Sequence, residues 1–354
     1  MNQPFISIII PCYNVANYIP QSFKTVLTQT YLNWECIAVD DGSTDETAKE
    51  INLWTQRDDR FKLICQKNTG PAGARNTGLD HASGDLIFFF DADDLLDEQC
   101  LQSLLNAYKP SADIVIGNNA KVLGQTTHNP KPMEHFSEEE KLASNCNLLI
   151  LSLKLSLSPV VWNKLYSRKL ILLNNLRFKE VFHEDELWFF ETMHLANKVI
   201  FNTRITYFYN IDNQDSITKN YSFNNLEAYL KIIEDIFNKY YSIEENKLEK
   251  KVIGTYILHL QINTISAFFR FIKKEKVGYK SNGILLIESH LSKYQIEDFS
   301  YLDKLRTKQF KIFIKYAASN PETAFKLIRN TNKINILKFF ENMYLKINHS
   351  LQKQ

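Results

Sequence analysis

Along the first 120 residues, apolar positions come in short dense runs, and the stretches between them carry helical spacing. Residues 5–10 (FISIII) stop at Pro11, and 34–39 (WECIAV) stop at Asp40-Asp41-Gly42. Residues 61–66 (FKLICQ) lead into Asn68-Thr69-Gly70-Pro71. Residues 86–90 (LIFFF) show no polar alternation, which predicts a strand buried on both faces. A fifth strand is expected over 114–116. Helices are expected over 18–29, after a Ser43 or Thr44 cap, and from Pro71, which suits a first helical turn. Strands and helices that alternate through short connections predict an α/β fold, with a mainly parallel sheet flanked by helices.

Beyond residue 118 the pattern changes. Pro130 and Pro132 mark a loop or hairpin over 118–135, and a helix is expected over 137–155. An amphipathic helix opens at His183-Glu184-Asp185-Glu186 and runs to about 196. A strand over 199–209 and a turn at Asp215-Ser216-Ile217-Thr218 follow. From 224 onward the periodicity is helical: 224–241, 246–273, 280–293, 301–318 and 321–347, the last two parted by Asn320-Pro321. The shift predicts a catalytic-type α/β domain over 1–220 and an all-helical C-terminal domain over 221–354.

Composition narrows the class. The chain has 354 residues, 44% apolar and 23% charged, as expected of a soluble globular protein. No apolar run approaches the ~18–20 residues of a membrane span, and a strand from residue 5 is expected to leave no room for a signal peptide. Cys12, Cys36, Cys65, Cys100 and Cys146 are scattered without metal-type spacing, which fits reduced thiols in a cytoplasm. The net charge of +2 hides an asymmetry, because residues 301–354 hold 11 Lys+Arg against 3 Asp+Glu. There, apolar and basic positions interleave. Such helices can pack on a neighbouring domain with their lysines in solvent, or lie peripherally on an anionic membrane. No base-reading motif accompanies the charge, so nucleic acid is not an expected partner.

The candidate chemistry sits where strands end on acids. Asp91, Asp93 and Asp94 follow the fourth strand, and Asp40 and Asp41 follow the second, at the edge where open α/β sheets bind ligands. One acid could cap the helix near Asp97. Two carboxylates one residue apart can instead grip Mg²⁺ or Mn²⁺, leaving open positions for phosphate oxygens. There is no P-loop and no GxGxxG, so metal rather than a glycine cradle would hold phosphate. Arg75 would face this pocket. Glu184 and Asp185 admit two readings, capping of a helix dipole or supply of a general base.

Four segments occur in order: Ser7-Ile8-Ile9-Ile10-Pro11-Cys12-Tyr13-Asn14, Val39-Asp40-Asp41-Gly42-Ser43-Thr44-Asp45, Gly73-Ala74-Arg75-Asn76-Thr77-Gly78-Leu79 and Asp91-Ala92-Asp93-Asp94. Together they resemble a family-2 glycosyltransferase of the GT-A fold, over about residues 4–220. The resemblance implies an inverting transfer of a sugar from a nucleotide-sugar, usually a UDP-sugar, to a glycan or lipid-linked acceptor with a divalent metal. It implies that Pro11, Tyr13, Asn14, Asp40, Asp41, Arg75, Asp91 and Ala92 line the nucleotide-sugar, with Tyr13 and Asp41 at base and ribose. Asp91 and Asp93 would be the DxD pair, Asp93 the direct ligand. Asp185 would be the catalytic base beside Glu184, and Trp162, Lys164 and Trp188 would border the acceptor. One departure stands out: many relatives carry a His or Arg shortly before the Ser-Ile-Thr turn, whereas this chain has Tyr209-Asn210-Ile211-Asp212-Asn213-Gln214-Asp215, with Asp212 or Asn213 as stand-ins. Rival readings are a sugar-nucleotidyltransferase, against which the absent glycine-rich loop argues, and a catalytically silent carbohydrate-binding or scaffold protein.

Overall fold

The computed structural model describes residues 3–123, 126–128, 146–155, 157–211, 222–275 and 282–296, with 308, 311 and 315 beyond. The chain separates into two compact units, Met1–Asn220 and Tyr221–Gln354. Apart from 308, 311 and 315, the basic stretch 301–354 with the helices expected there, and the turn at 215–218, Asp212, Asn213 and Cys146's side chain, lie outside the described residues.

In the first unit, β1 (Ile6–Cys12), β2 (Trp34–Asp40), β3 (Phe61–Cys65) and β4 (Leu86–Phe89) form the parallel order β3-β2-β1-β4. The helices α1 (Ile19–Leu27), α2 (Thr47–Thr55) and α3 (Gly70–His81) connect them. Pro11 sits inside β1 at little cost, because β4 pairs only Ile6–Ile9 of that strand. The order reverses at β1, so β1 and β4 flank the switch point at which such sheets open a crevice.

From β4 the sheet becomes mixed. The strand β8 (Lys164–Ser167) runs antiparallel to both β4 and β6 (Ile114–Leu123). Next to β6, β9 (Val199–Asn210) is parallel, and the short β5 (Leu95–Leu96) is antiparallel to β9. The last strand, β7 (Thr126–His128), makes a hairpin with β6. The sheet is therefore uniformly parallel only over β3-β2-β1-β4.

The fifth strand is much longer than the expected 114–116. Asn118 and Asn119 break the apolar pattern, yet Asn118 is buried and satisfied, its amide donating to Thr203 O at 3.0 Å. Tertiary hydrogen bonds thus carry β6 through a polar stretch that local pattern assigns to a loop.

Aromatics fill both sheet faces. Phe23, Trp34, Trp54 and Phe61 cluster on one side, with ring centroids 5.5–6.0 Å apart. On the other side Phe89 meets Tyr166, Phe178 and Trp188 edge-on at 5.2–5.8 Å. Trp188 belongs to α7 (Glu184–Leu195), in which every residue from Glu186 to Met193 is buried. The expectation of an amphipathic α7 is corrected: Glu186 and Glu191 on its polar side are buried too.

At the opposite edge of the sheet, buried Glu35 accepts from Ser7 Oγ (2.6 Å), Ser83 N (2.8 Å), Ser83 Oγ (2.7 Å) and Lys62 Nζ (2.6 Å). Burial pushes its carboxyl up, but the Lys62 ammonium and the serine donors more than offset this and hold it at about 2. A depressed carboxyl contributes stability above its ordinary value near 4.5 and loses it as pH falls toward 2. Glu35→Ala should cost about 1–3 kcal/mol at pH 7 by orphaning those donors. Denaturant unfolding of both proteins should show the gap narrowing as pH falls from 5 to 3; a gap independent of pH would refute the account.

In the second unit, α8 (Phe223–Ile236) begins with a capping box between Ser222 and Asn225 and runs into a π turn over Phe237–Tyr241. It packs with α9 (Lys247–Glu275) and α10 (Asn282–Lys293) around Ile232, Ile233, Ile253, Ile257 and Ile287. The remaining helices, α4 (Cys100–Ala107), α5 (Cys146–Leu155) and α6 (Arg168–Leu173), belong to the first unit.

Candidate active site

The C-terminal ends of β1, β2 and β4 place three loops along one edge. After β1, Asn14 adopts a left-handed backbone (φ 53°) and stitches two of these loops together. Its N–H donates to Ser43 Oγ at 3.0 Å, and its Oδ1 accepts from Thr44 N at 2.8 Å. The Tyr13 ring beside it stays 49% exposed.

The acids after β2 take different parts. Asp41 is buried, and its carboxylate accepts from Gln66 Nε2 (2.7 Å), Thr69 N (2.9 Å) and Gly70 N (2.8 Å), which caps the start of α3. Gly42, at φ 72°, lets the turn pass Asn68, whose N would lie 2.9 Å from any Cβ. Asp40 is buried as well, and its Oδ1 has no hydrogen-bond partner among the described residues. A buried carboxylate oxygen left unpaired is a site awaiting a donor.

Helix α3 can lie close on β1 because Gly78 abuts Ile9, whose Cγ2 would be 2.3 Å from an added Cβ. That contact sets the height of Arg75. Its buried guanidinium bridges Asp91 Oδ1 (3.1 Å from Nη2) and Glu184 Oε1 (2.5 Å from Nη1), and lies 5.5 Å over the Phe178 ring. Next to it, the Asn76 carboxamide pairs twice with the backbone of Phe178, donating to its O at 2.8 Å and accepting from its N at 2.9 Å. One turn of α3 thereby holds both the acids after β4 and the segment leading to α7.

The three acids after β4 also divide. Asp94 is fully buried and anchored to β9, accepting from Tyr207 Oη (2.6 Å) and Asn210 N (2.8 Å). The anchoring acid thus ties the turn to a strand rather than capping a helix. Ala92 is buried in the turn, and Asp91 and Asp93 remain partly exposed at the edge. Burial first, and then the Asp93 charge, raise the Asp91 carboxyl, while Arg75 opposes them.

Asp185 lies in the first turn of α7, behind the left-handed His183 (φ 61°). Its Oδ1 accepts from Glu186 N at 3.0 Å. Burial, reinforced by the Glu184 and Glu186 charges, pushes its carboxyl up to about 8 against the pull of Arg75. A carboxyl tuned toward neutrality beside a cleft is suited to general base work.

The sequence profile of Glycosyl transferase family 2 matches residues 7–171. The "Putative glycosyltransferase EpsH" of Bacillus subtilis (strain 168) is 30% identical over 282 residues, 74% of this chain and 77% of that protein. The chain belongs to glycosyl transferase family 2. Among solved structures, S. aureus TarS 1–349 in complex with UDP-GlcNAc aligns with a TM-score of 0.62 at 17% identity, covering 94% of this chain and 92% of that one. Mannosyltransferase PcManGT from Pyrobaculum calidifontis, in complex with GDP-Man and Mn²⁺, gives 0.55 at 15% identity, covering 94% and 85%. The family-2 chain has the GT-A fold, a mixed sheet with flanking helices and further helices in the C-terminal region.

Within this family-2 domain the residues expected at the acceptor are deeply set. Trp162 stacks on Tyr207 (4.5 Å) and Tyr209 (5.5 Å). Trp188 lies flat against Phe178 at 4.1 Å, and Lys164 is buried with its ammonium on the Val160 carbonyl at 2.5 Å. Trp188 and Lys164 are both buried in this structure. Asn76, Phe178 and Tyr207 are the residues that sequence reasoning missed, and only Asn76, within the third motif, carried any signal.

Among the described residues no group of three or more His, Cys, Asp or Glu side chains converges as a ready-made metal cage. Asp91 and Asp93 nevertheless fit a hard cation. Two adjacent carboxylates repel each other there, and the nearby Arg75 is shared with Glu184. Mg²⁺ and Mn²⁺ are commonly held by one or two carboxylates, with phosphate oxygens and water completing the shell.

Proposed function

We propose that this family-2 enzyme transfers a sugar from a nucleotide-sugar, a UDP-sugar in the first instance, to a hydroxyl of a glycan or lipid-linked acceptor with inversion. The observation that carries the reading is the bridge Asp91–Arg75–Glu184, which ties the metal-type acids after β4 to the helix head bearing Asp185. The acceptor oxygen attacks the anomeric carbon from the side opposite the leaving group. The bond from that carbon to the diphosphate oxygen breaks, and the hydroxyl proton passes to Asp185. Asp93, with Asp91, would hold a divalent cation, which supplies neutralisation of the charge developing on the diphosphate. Asp40 offers its unpaired oxygen to a donor on the nucleotide, and the exposed Tyr13 ring offers a face to its base.

A screen of nucleotide-sugars with purified protein and Mn²⁺, reading nucleoside diphosphate release, tests this. A nucleotidyltransferase would instead release pyrophosphate when given a nucleoside triphosphate and a sugar phosphate, and a silent binding protein would release neither product. With the donor found, Asp93→Asn should lower turnover by ~10²-fold or more in excess Mn²⁺. Near-normal turnover would remove Asp93 from the metal. No described helix is long and apolar enough to cross a membrane.

A further inference from the structure

Lys164 is a buried lysine at the start of β8 that neither lines the cleft nor pairs with a carboxylate within salt-bridge distance among the described residues. Its ammonium donates to Val160 O at 2.5 Å and faces Trp162 O at 3.5 Å, both carbonyls of the loop leading into β8. Burying an ammonium costs several kcal/mol, and an apolar side chain of equal length would fill the same volume without that cost. A charge kept here calls for a use.

The fold says which element the charge faces. Lys164 and Tyr166 alternate onto one face of β8, and Tyr166 meets Trp188 of α7 edge-on at 5.8 Å. That face of β8 is therefore the one α7 covers. The Lys164 Nζ lies 5.9 Å from the Phe189 ring, also on α7. Asp185 precedes Phe189 by four residues, so the two share one face of that helix. The buried ammonium and the base of the proposed transfer thus belong to the same interface, and the Asp185 charge acts on Lys164.

We propose that Lys164 is a positioning residue for the base: its buried ammonium, fixed by two backbone carbonyls, is the counter-charge of the Asp185 carboxylate. The groups facing Asp185 are Glu184 and Glu186 on α7 itself, Arg75 from α3, and Lys164 and Tyr166 from β8. Arg75 pulls on Asp185 while it pairs with Asp91 and Glu184 through Nη2 and Nη1, and Lys164 is a second cation, in salt-bridge contact with no acid among the described residues. Burial brings Lys164 down to about 7 and Asp185 up to about 8. An ammonium held there favours the ionised form of the base and draws its midpoint down toward the working range, as removal of a hydroxyl proton requires.

The role rests on the transferase reading, but its test does not need a substrate. The full chain is labelled at the aspartate carboxyl carbon, and the Asp185 resonance is assigned by its loss in Asp185→Asn. In Lys164→Met and Lys164→Gln the Asp185 midpoint should rise by about one unit or more, a tenfold or greater gain in proton affinity. In Lys164→Arg, which keeps the charge, the midpoint should stay at or below the wild-type value. Gln retains a donor for the Val160 carbonyl, so it carries the test should the Met variant not fold. A wild-type midpoint in both folded neutral variants overturns the proposal. If a donor is turned over, the neutral variants should lose rate at pH 7 and regain it above their new midpoint, a recovery that loss of packing alone would not give. Absence of turnover with every nucleotide-sugar would refute the transferase reading and leave the carboxyl titration to decide Lys164 separately.

Discussion

Replacing Asp185 with Asn is expected to lower kcat by ~10²–10⁴-fold while leaving nucleotide-sugar binding largely intact. Asn keeps the volume, and its carbonyl oxygen can still accept from Glu186 N, so the head of α7 should keep its shape. What it cannot do is take the proton of the attacking hydroxyl. With its carboxyl raised to about 8, wild-type Asp185 is protonated and idle on the acid side, so the wild-type rate should climb as pH rises through that value. The same shift has a consequence for stability. A raised carboxyl favours folding while it is protonated and penalises it increasingly as pH rises from the ordinary aspartate value through about 8. Asp185→Asn should therefore gain stability relative to the wild type between pH 5 and pH 8.5, by on the order of 1 kcal/mol after allowing for partial exposure of the side chain. Initial rates with saturating donor and thermal melts at the two pH values check both halves. A dead Glu184→Gln beside an active Asp185→Asn would exchange the two roles.

The sequence discloses the parallel half of the fold and conceals the mixed half, for a physical reason. The strands β1, β2 and β4 are covered on both faces, so their sequences are mostly apolar without alternation and their burial is local information. The strand β8 is four residues beginning with a lysine, and nothing nearby in the chain says that this lysine is buried between two carbonyls. In β6, Asn118 survives inside a strand because Thr203 and Asn163, 85 and 45 residues away, satisfy it. The site divides along the same line. Composition and order find the acids, but three aspartates in a row look alike until Tyr207 and Asn210 claim Asp94. The resemblance puts Asp41 at base and ribose with Asp40 in support, yet the α3 amides hold the Asp41 carboxylate and an Asp40 oxygen is left unpaired among the described residues. Arg75 can be placed at the pocket from its position after Pro71. Its acid partner on α7 lies 109 residues away, and no local pattern names it.

Arg75→Met should be the most damaging single change to the stability of the site. The guanidinium is buried between Asp91 at the end of β4 and Glu184 at the head of α7, and its fork gives each acid its own nitrogen. Both acids also raise the proton affinity of Arg75 against the effect of burial, so it is charged throughout the working range. Met fills the stem and keeps contact with Phe178, yet it leaves two carboxylates facing each other without the cation that separated them. Breaking a buried pair in this way costs about 3–5 kcal/mol, and the uncompensated charges account for most of it. Arg75→Lys should fall between, because one ammonium cannot reproduce two divergent N–H bonds. Activity should drop ~10³-fold or more with Met, since the gap between the acids after β4 and the base is no longer set. Adding Glu184→Gln to the Met variant removes one of the two unpaired charges, and should return part of the lost stability but none of the lost rate. Urea unfolding of the two single variants, the double variant and the wild type measures the coupling as a double-mutant cycle. A cycle energy near zero, or a Met variant as stable as the wild type, would mean that the bridge is not what holds the two acids in place.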